Sequence, residues 1–499
     1  KPQAPLAEDR QASVEAGRTM SGTLKAAGVF LAGCAVFAQG CVSYPEKVRP
    51  VKTQLALGVD DSLPLRYDAE DEDGRNRLLA LSEKGRLEKL QVRYRESDGY
   101  YREAIEFSDA LEDKALVSAG DVLQKSLAST YGNDLSLDYP VVGFERMMLH
   151  QLDAFDRIAI GDFDGFGVDV RHMEKCRNDT FRLLRRDREA IDAKLGKTKL
   201  DELTGSLAYK ALMGDAVAMA SGAKHSTDNA YAMYLVGLYH EMRGERSSAK
   251  KAYSDVERMQ PGLAAVKEGL ARVGGRKLAP GEGEVVVFFE EGFIPRKSNR
   301  RFEYGGLFTT VVWDMPYYSA ADCMPYEDGG PLLVAEGRKA LAKTVPMCDL
   351  ATLAAKAHEE RMHGIIARQI SRTTVKAVTR AIFSGMALAG AYCAANNIGD
   401  NKGYTQMALL AVGIAGSIGM SIMAAATEQA DLRSWLLLPR QVQIARFPLK
   451  AGKHQLMLAT VDKCEKLSVE VKPGAKTIIH CTSVPGVMRC FAKCMDKMK

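Results

Sequence analysis

Hydrophobic positions along the chain change period three times, and each change marks a boundary. Helical spacing opens near Asn76. Leu78 and Leu81 precede Gly85, and Leu87, Leu90, Tyr94, Tyr101 and Ile105 follow at three-, four- and seven-residue steps. That spacing places them on one helix face. Residues 144–160 form a second apolar-periodic helix ending at Gly161 and Asp162; a long charged helix follows over 169–194, and further helix fills 199–220. At Gly281 the pattern turns to a β-branched and aromatic run, EGEVVVFFEEGFIP, bounded by glycine and proline, which predicts a buried strand. More strand is expected over 301–313, with a turn at Gly305-Gly306. Residues 349–380 return to helix, and strands resume after 429, with a turn at Ala451-Gly452-Lys453.

The stretch 229–261, NAYAMYLVGLYHEMRGERSSAKKAYSDVERMQP, has the most specific spacing. Met233-x2-Val236-Gly237-x2-His240, then Ala249-x3-Tyr253, then Pro261 is tetratricopeptide spacing in degenerate form, with Met and Val where Trp and Leu are usual. Gly237 and Ala249 are small where the two helices cross, Tyr253 fills the groove beside them, and Pro261 stops the second helix. One such pair cannot bury its apolar face alone, so neighbouring pairs are expected across the helical region.

Two charge-free stretches, 381–398 and 405–427, flank a polar loop at 399–403. Small residues recur every four positions: Gly385, Ala389 and Cys393 in the first; Gly413, Ser417, Ser421 and Ala425 in the second. Such spacing lets helix backbones approach closely, in lipid or out of it. A hairpin packed within protein and a hairpin inserted in a membrane are both open on this pattern. Beyond it, Leu467 to Val471 and Thr477 to His480 are expected to pair across Pro473-Gly474 as a tight hairpin. One β-domain with a helical insertion, rather than two sheets, accommodates strands on both sides of the helices.

The expected fold class is therefore α+β: a TPR-like helical repeat domain over 76–275, and a β-rich domain in two parts, 281–348 and 429–483. A helical insertion over 349–428 separates the parts, and a cysteine-containing tail, 484–499, follows. Before the repeat come a leader, 1–41, and a polar, acidic tether, 42–75. In the leader, Lys25 precedes the mostly apolar run 26–38, and small residues then lead to a cysteine, the layout of a bacterial lipoprotein signal. The run is too short to span a bilayer. Leu31-Ala32-Gly33-Cys34 is the better lipid-attachment box, whereas Ala38-Gln39-Gly40-Cys41 leaves the better apolar length. With this signal, translation is expected to start at Met20.

Composition narrows the field. A chain of 499 residues is too long for one core, and 46% hydrophobic with 26% charged residues suits a folded protein. A net charge of +5 without basic runs argues against nucleic-acid binding. None of the ten cysteines forms C-x-x-C, and four crowd the last 36 residues, which suits an oxidising compartment. On the expected hairpin, Cys464 and Cys481 lie diagonally near the limit of disulfide geometry. Cys490 and Cys494 stand four apart on an expected helical turn. In an oxidising compartment bridges Cys464–Cys481 and Cys490–Cys494 are expected, with cross-pairing between the two sets and four reduced, buried thiols as the alternatives.

Catalytic and metal motifs are declined. His358 and His363 are five apart, about 140° round a helix, where a zinc helix needs four. Asp162-Phe163-Asp164-Gly165 lacks the closing glutamate of a calcium loop and reads as an inter-helix turn. Gly281-Glu282-Gly283 precedes a strand instead of following one, and no nucleophile elbow occurs. Neither an enzymatic activity nor a cofactor or metal is expected. Asp431-Leu432-Arg433-Ser434-Trp435 reads as a structural signature, with Trp435 buried where helix meets sheet and Asp431 paired to Arg433. A partner-binding surface is the other reading of these residues.

The chain resembles a family of bacterial lipoproteins with tetratricopeptide-like helices and no assigned enzymatic activity. The matching features are the cysteine followed by Val42-Ser43-Tyr44; LLALSEKGRLEKLQVRYRESDGYY; TYGNDLSLDYPVVGFERMMLH; VVVFFEEGFIPRK; and ADLRSWLLLP leading into VQIARFPLKAG. They cover roughly four fifths of the chain, and the last two are the specific ones. GDFDGFGVDV departs from the Ala- and Glu-rich helix usual there. The resemblance implies lipidation at Cys41, since a tyrosine stands three residues after the family's lipidated cysteine. It also implies a place in the cell envelope, as an outer-membrane lipoprotein facing the periplasm. The function expected is a scaffold that binds a protein partner through its helical surface. A membrane-inserting secretion or pore accessory, with 381–427 in the bilayer, and an envelope hydrolase are the alternatives.

Overall fold

Strand β1 (Glu282–Glu291) carries a different core on each of its faces. In the computed structural model, Val286 and Phe288 join the helical core, while Val285, Val287 and Phe289 join a core beneath a second sheet. Alternation at period two assigns successive side chains to opposite faces, and both faces are covered. The structure describes residues 43–58, 74–117, 134–139, 143–195, 201, 204–306, 309–318, 330–396, 409–410, 412–414, 417 and 429–495. The expected leader, Cys34 and Cys41 lie outside the described residues, as does most of the second charge-free stretch.

The remaining strands are β2 (Lys297–Gly306), β3 (Thr309–Tyr318), β4 (Leu333–Glu336), β5 (Lys339–Lys343) and β6 (Val345–Asp349), then β7 (Gln441–Lys450), β8 (Gly452–Ala459), β9 (Cys464–Val471), β10 (Lys476–Val484) and β11 (Val487–Met495). The main sheet has the order β11-β10-β1-β7-β6, with β10 parallel to β1 and the other pairs antiparallel. Strands from both sides of the helical insertion thus share one sheet. A four-stranded sheet, β5-β4-β8-β9, packs on its second face, and β2-β3 is a separate hairpin. The expectation of one sheet is corrected: the chain bends at Ala451 between β7 and β8, which enter different sheets.

The expected hairpin across Pro473-Gly474 does not form. β9 pairs with β8, and β10 crosses to pair with β1, so the two runs lie in different sheets. Gly474 instead ties the turn to β1 through its N–H, which donates to the Glu282 carbonyl at 2.8 Å. The expected C-terminal tail is also corrected: 487–495 is an edge strand, not a helical turn.

Among the described residues nine α-helices precede β1: α1 (Tyr44–Leu57), α2 (Arg77–Leu90), α3 (Tyr94–Val117), α4 (Gly143–Ile160), α5 (Phe163–Leu195), α6 (Leu207–Ala220), α7 (Ala230–Met242), α8 (Arg246–Met259) and α9 (Ala264–Val273). The long α10 (Leu350–Ala395) follows β6. The expected tether is partly a helix. α1 buries Tyr44, Val48, Val51 and Leu55, and its last carbonyls meet Gly486 in the β10–β11 turn. A Cβ at Gly486 would lie 2.4 Å from the Leu55 carbonyl oxygen, and φ there is +71°, so only glycine fits. The single helix face expected from Leu87 to Ile105 is two helices. The chain reverses at Gln91–Arg93, where Val92 takes φ +65° and the Arg93 N–H donates to the Glu88 carbonyl.

Helix pairs α2–α3 and α7–α8 share one contact. A Cβ on Gly85 or on Gly237 would stand 2.7 Å from a ring carbon of Tyr101 or Tyr253, each sixteen residues further on. Between the pairs, α4 is buried along nearly its whole length, and Phe155 stacks against Tyr231 and packs edge-on to Phe288 of β1. Ion pairs cross from helices to sheet: Arg86 to Glu290 at 2.7 Å, both fully buried, and Glu241 to Arg446 of β7 at 2.9 Å, which also meets Glu284 of the neighbouring β1 at 2.6 Å. Burial opposes ionisation of Glu284, yet Arg446 and Lys476 hold it down to about 2. Removing one partner of such a pair would strand a buried charge, so these contacts fix how the helices sit on the sheet.

Candidate functional site

The structure places the 431–438 segment inside the molecule as a joint. Asp431 and Arg433 form a two-pronged pair at 2.9 and 2.8 Å. The Arg433 guanidinium also donates to Asn76 Oδ1 and to the Leu137 and Asp134 carbonyls, tying three distant segments together. Trp435 is buried and lies against Tyr101, apart from that pair. The joint's backbone is held by acids on helices: Glu145 accepts from Trp435 N–H, and Glu83 from Leu436 and Leu437 N–H at 2.7 and 3.1 Å. Burial pushes Glu83 up to about 8 despite those bonds. Arg433 and Trp435 offer no surface to a partner.

An accessible site lies elsewhere. α5, the 221–229 loop, the end of α8 and the β6–α10 corner enclose a cleft of about 760 Å³. Its walls are set by local chemistry. Asn229 caps α7 by accepting from the Ala232 N–H at 3.0 Å, and Asp349 caps α10 by accepting from the Ala351 and Thr352 N–H groups at 3.0 and 3.3 Å. Ser226 fastens the loop to α10, its N–H and hydroxyl donating to Glu360 at 3.1 and 2.5 Å. Arg177 of α5 reaches Asp255 of α8 at 3.3 Å and Asp228 of the loop at 3.6 Å. One cation thereby links three of the four walls.

The lining carries three fixed cations, Arg177, Lys224 and Arg258, against three anions, Asp228, Asp255 and Asp349. Met347, Leu353 and Phe181 add apolar surface, and His225 stands edge-on to the Phe181 ring at 4.7 Å. Cys348 is buried at the back, its thiol donating to Asn229 Oδ1 at 3.6 Å, and burial pushes it up to about 12. A thiol so protonated is not a nucleophile. The Ser221 hydroxyl donates to the Ala218 carbonyl. The Thr352 hydroxyl donates to the Asp349 carboxylate at 3.1 Å, whose other oxygen caps α10, so both groups are engaged in holding the corner of the cleft.

No sequence motif marks this cleft. Its residues come from four segments spread over more than 170 positions, and none stands out by type. His358 is buried against the Pro316 carbonyl at 2.6 Å, and no group of three or more metal-ligating side chains occurs among the described residues. At the turn after α4, Asp162 accepts from the Gly165 N–H and caps α5. Of the four C-terminal cysteines, the structure sets Cys481 directly opposite Cys490, leaves Cys464 exposed on β9, and puts Cys494 opposite Thr477. No described helix is long and apolar enough to cross a membrane. No family model matches the chain, and neither a curated protein nor a solved structure matches it.

Proposed function

We propose that the chain is a lipid-anchored cell-envelope scaffold that holds a segment of a protein partner in the 760 Å³ cleft. The observation that carries this reading is the cleft's balanced set of charges around apolar surface, which suits a peptide bearing both signs and a hydrophobic side chain. A TPR-like organisation belongs to this reading and is supported by the glycine-to-tyrosine contact, which recurs at the same spacing in α2–α3 and α7–α8, with the cleft at the end of the second pair. A lipid anchor rests on the leader pattern, and its placement at Cys41, on the periplasmic face of the outer membrane, on the family resemblance. No catalytic role or cofactor belongs to this reading. A photo-crosslinking residue in place of Lys224 should trap one partner, and Arg258→Glu should reduce that yield several-fold. Equal yield from both forms would remove the cleft as the site.

One observation favours a second reading, insertion of the apolar arm into a membrane. Ile382, Leu388 and Tyr392 on the outer part of α10 are 59%, 72% and 64% exposed, on a run without charge. A scaffold that binds only through the cleft leaves those side chains without a purpose.

A further inference from the structure

We propose that Cys481 and Cys490 form a disulfide across β10 and β11, locking the edge strand to the main sheet. The two residues are register partners on antiparallel strands. Directly opposed residues have Cα atoms about 4.5–5.5 Å apart, inside the window of about 4.4–6.8 Å that a disulfide spans. Both side chains point to the same core, beneath the second sheet. There the Cys490 thiol contacts the Cys481 sulfur and the Glu465 carboxylate.

Every other pairing of the four C-terminal cysteines is disfavoured by strand geometry. Cys490 and Cys494 are four residues apart on one strand, about 13 Å along it. Cys464 neighbours Glu465 on β9, and Glu465 is the residue that faces Cys490, so alternation turns Cys464 the other way. Cys464 is exposed, whereas Cys481 is fully buried.

The order of events follows from access. Cys490 is half-buried and Cys481 is sealed, so Cys490 meets an external oxidant first. The oxidant required is a second disulfide, either oxidised glutathione or the active-site disulfide of a dithiol oxidoreductase. The Cys490 thiolate attacks one of its sulfurs, and one thiolate leaves. The Cys481 thiolate then attacks the Cys490 sulfur of the mixed disulfide and releases the second thiolate. Two cysteine thiols are oxidised, one disulfide is reduced to two thiols, and the two cysteine protons end on the leaving sulfurs. Burial pushes the Cys490 thiol up, so the first attack is slow in the folded chain.

The test uses the full-length protein, equilibrated with oxidised glutathione, denatured, alkylated and digested without reduction. Cleavage after Arg489 separates the two cysteines, so a bridge shows as one species joining both peptides, lighter by two hydrogens than their sum. The oxidised chain should unfold a few degrees above the same chain reduced. Cys490→Ser should lose both signals, whereas Cys464→Ser and Cys494→Ser should keep them. Alkylation of both Cys481 and Cys490 after oxidation would overturn the proposal, as would Cys490 joined to Cys464 or Cys494. The reduced wild-type chain is the folded control, so the mapping does not depend on any variant folding.

Discussion

The inner and outer parts of α10 contrast sharply. The inner part carries His358, Glu359, Glu360, Arg361, Arg368 and Arg372, yet it packs into protein, and Arg372 is 1% exposed. The outer part, from 381 to 395, carries no charge and leaves Ile382, Leu388 and Tyr392 uncovered. Burial here follows the availability of fixed partners, not hydrophobicity. Arg368 and Arg372 are both met by Asp134, at 3.1 and 2.6 Å, and two guanidiniums hold that carboxyl well below its usual range against burial. On the outer part, the contact the structure describes is backbone on backbone: a Cβ at Gly413 would lie 2.2 Å from the Ala387 nitrogen. That contact consumes small residues and leaves Leu388 and Tyr392 outside. An exposed apolar surface of that kind marks a place of contact.

The contrast can be broken most strongly at Asp134. Asp134→Ala leaves Arg368 and Arg372 without their shared carboxylate, and the expected loss is about 3–5 kcal/mol in denaturant unfolding. A loss below about 1 kcal/mol would show that water or other groups satisfy the two arginines.

The next effect is pH-dependent. Burial pushes His358 down to about 3, so the folded chain refuses a proton that the unfolded chain accepts below about 6.5. The stability tied to neutral His358 is complete above about 6.5 and is lost as pH falls toward 3, at about 1.4 kcal/mol per unit. His358→Gln should flatten that part of the unfolding profile. An unchanged slope would mean that His358 is protonated in the folded chain.

The smallest change in stability is expected at Leu388. Leu388→Ser should shift unfolding by no more than about 0.5 kcal/mol, since the side chain is already exposed. Its effect should appear in flotation with lipid vesicles, where a wild-type chain that floats and a variant that does not would favour the membrane reading. Wild-type chain that stays with the soluble fraction would remove it.

Much of this architecture is legible in the sequence because the relevant signals are local. The helix of 349–380 announces itself by period, and β1 by its β-branched run. What was missed depends on distance or on an unmarked turn. Val92 reverses the chain without glycine or proline, and the apolar spacing continues across the turn, so α2 and α3 read as one face. Pro45 and Pro50 hide α1, which becomes a helix through burial against α2 and the β10–β11 turn. Pro473-Gly474 carries every mark of a hairpin, but β1 offers β10 a longer partner than β9 does. The pairing of Asp431 with Arg433 could be read because the two are neighbours on the chain. The cleft could not, because Arg177, Lys224, Arg258 and Asp349 meet only after folding.

If Cys41 carries a lipid anchor as proposed, the start of α1 sets how far the protein extends from the membrane. With a lipid on Cys41, only Val42 and Ser43 separate the anchor from Tyr44, a span of at most about 11 Å. Tyr44 is itself bound to Glu83, and the other end of α1 abuts Gly486, so the helix is fastened at both ends to the body. The protein would rest on the bilayer with almost no leash, its standoff set by its own thickness. A partner would have to come to the membrane surface to be caught, and one confined to the middle of the compartment would stay beyond its grasp.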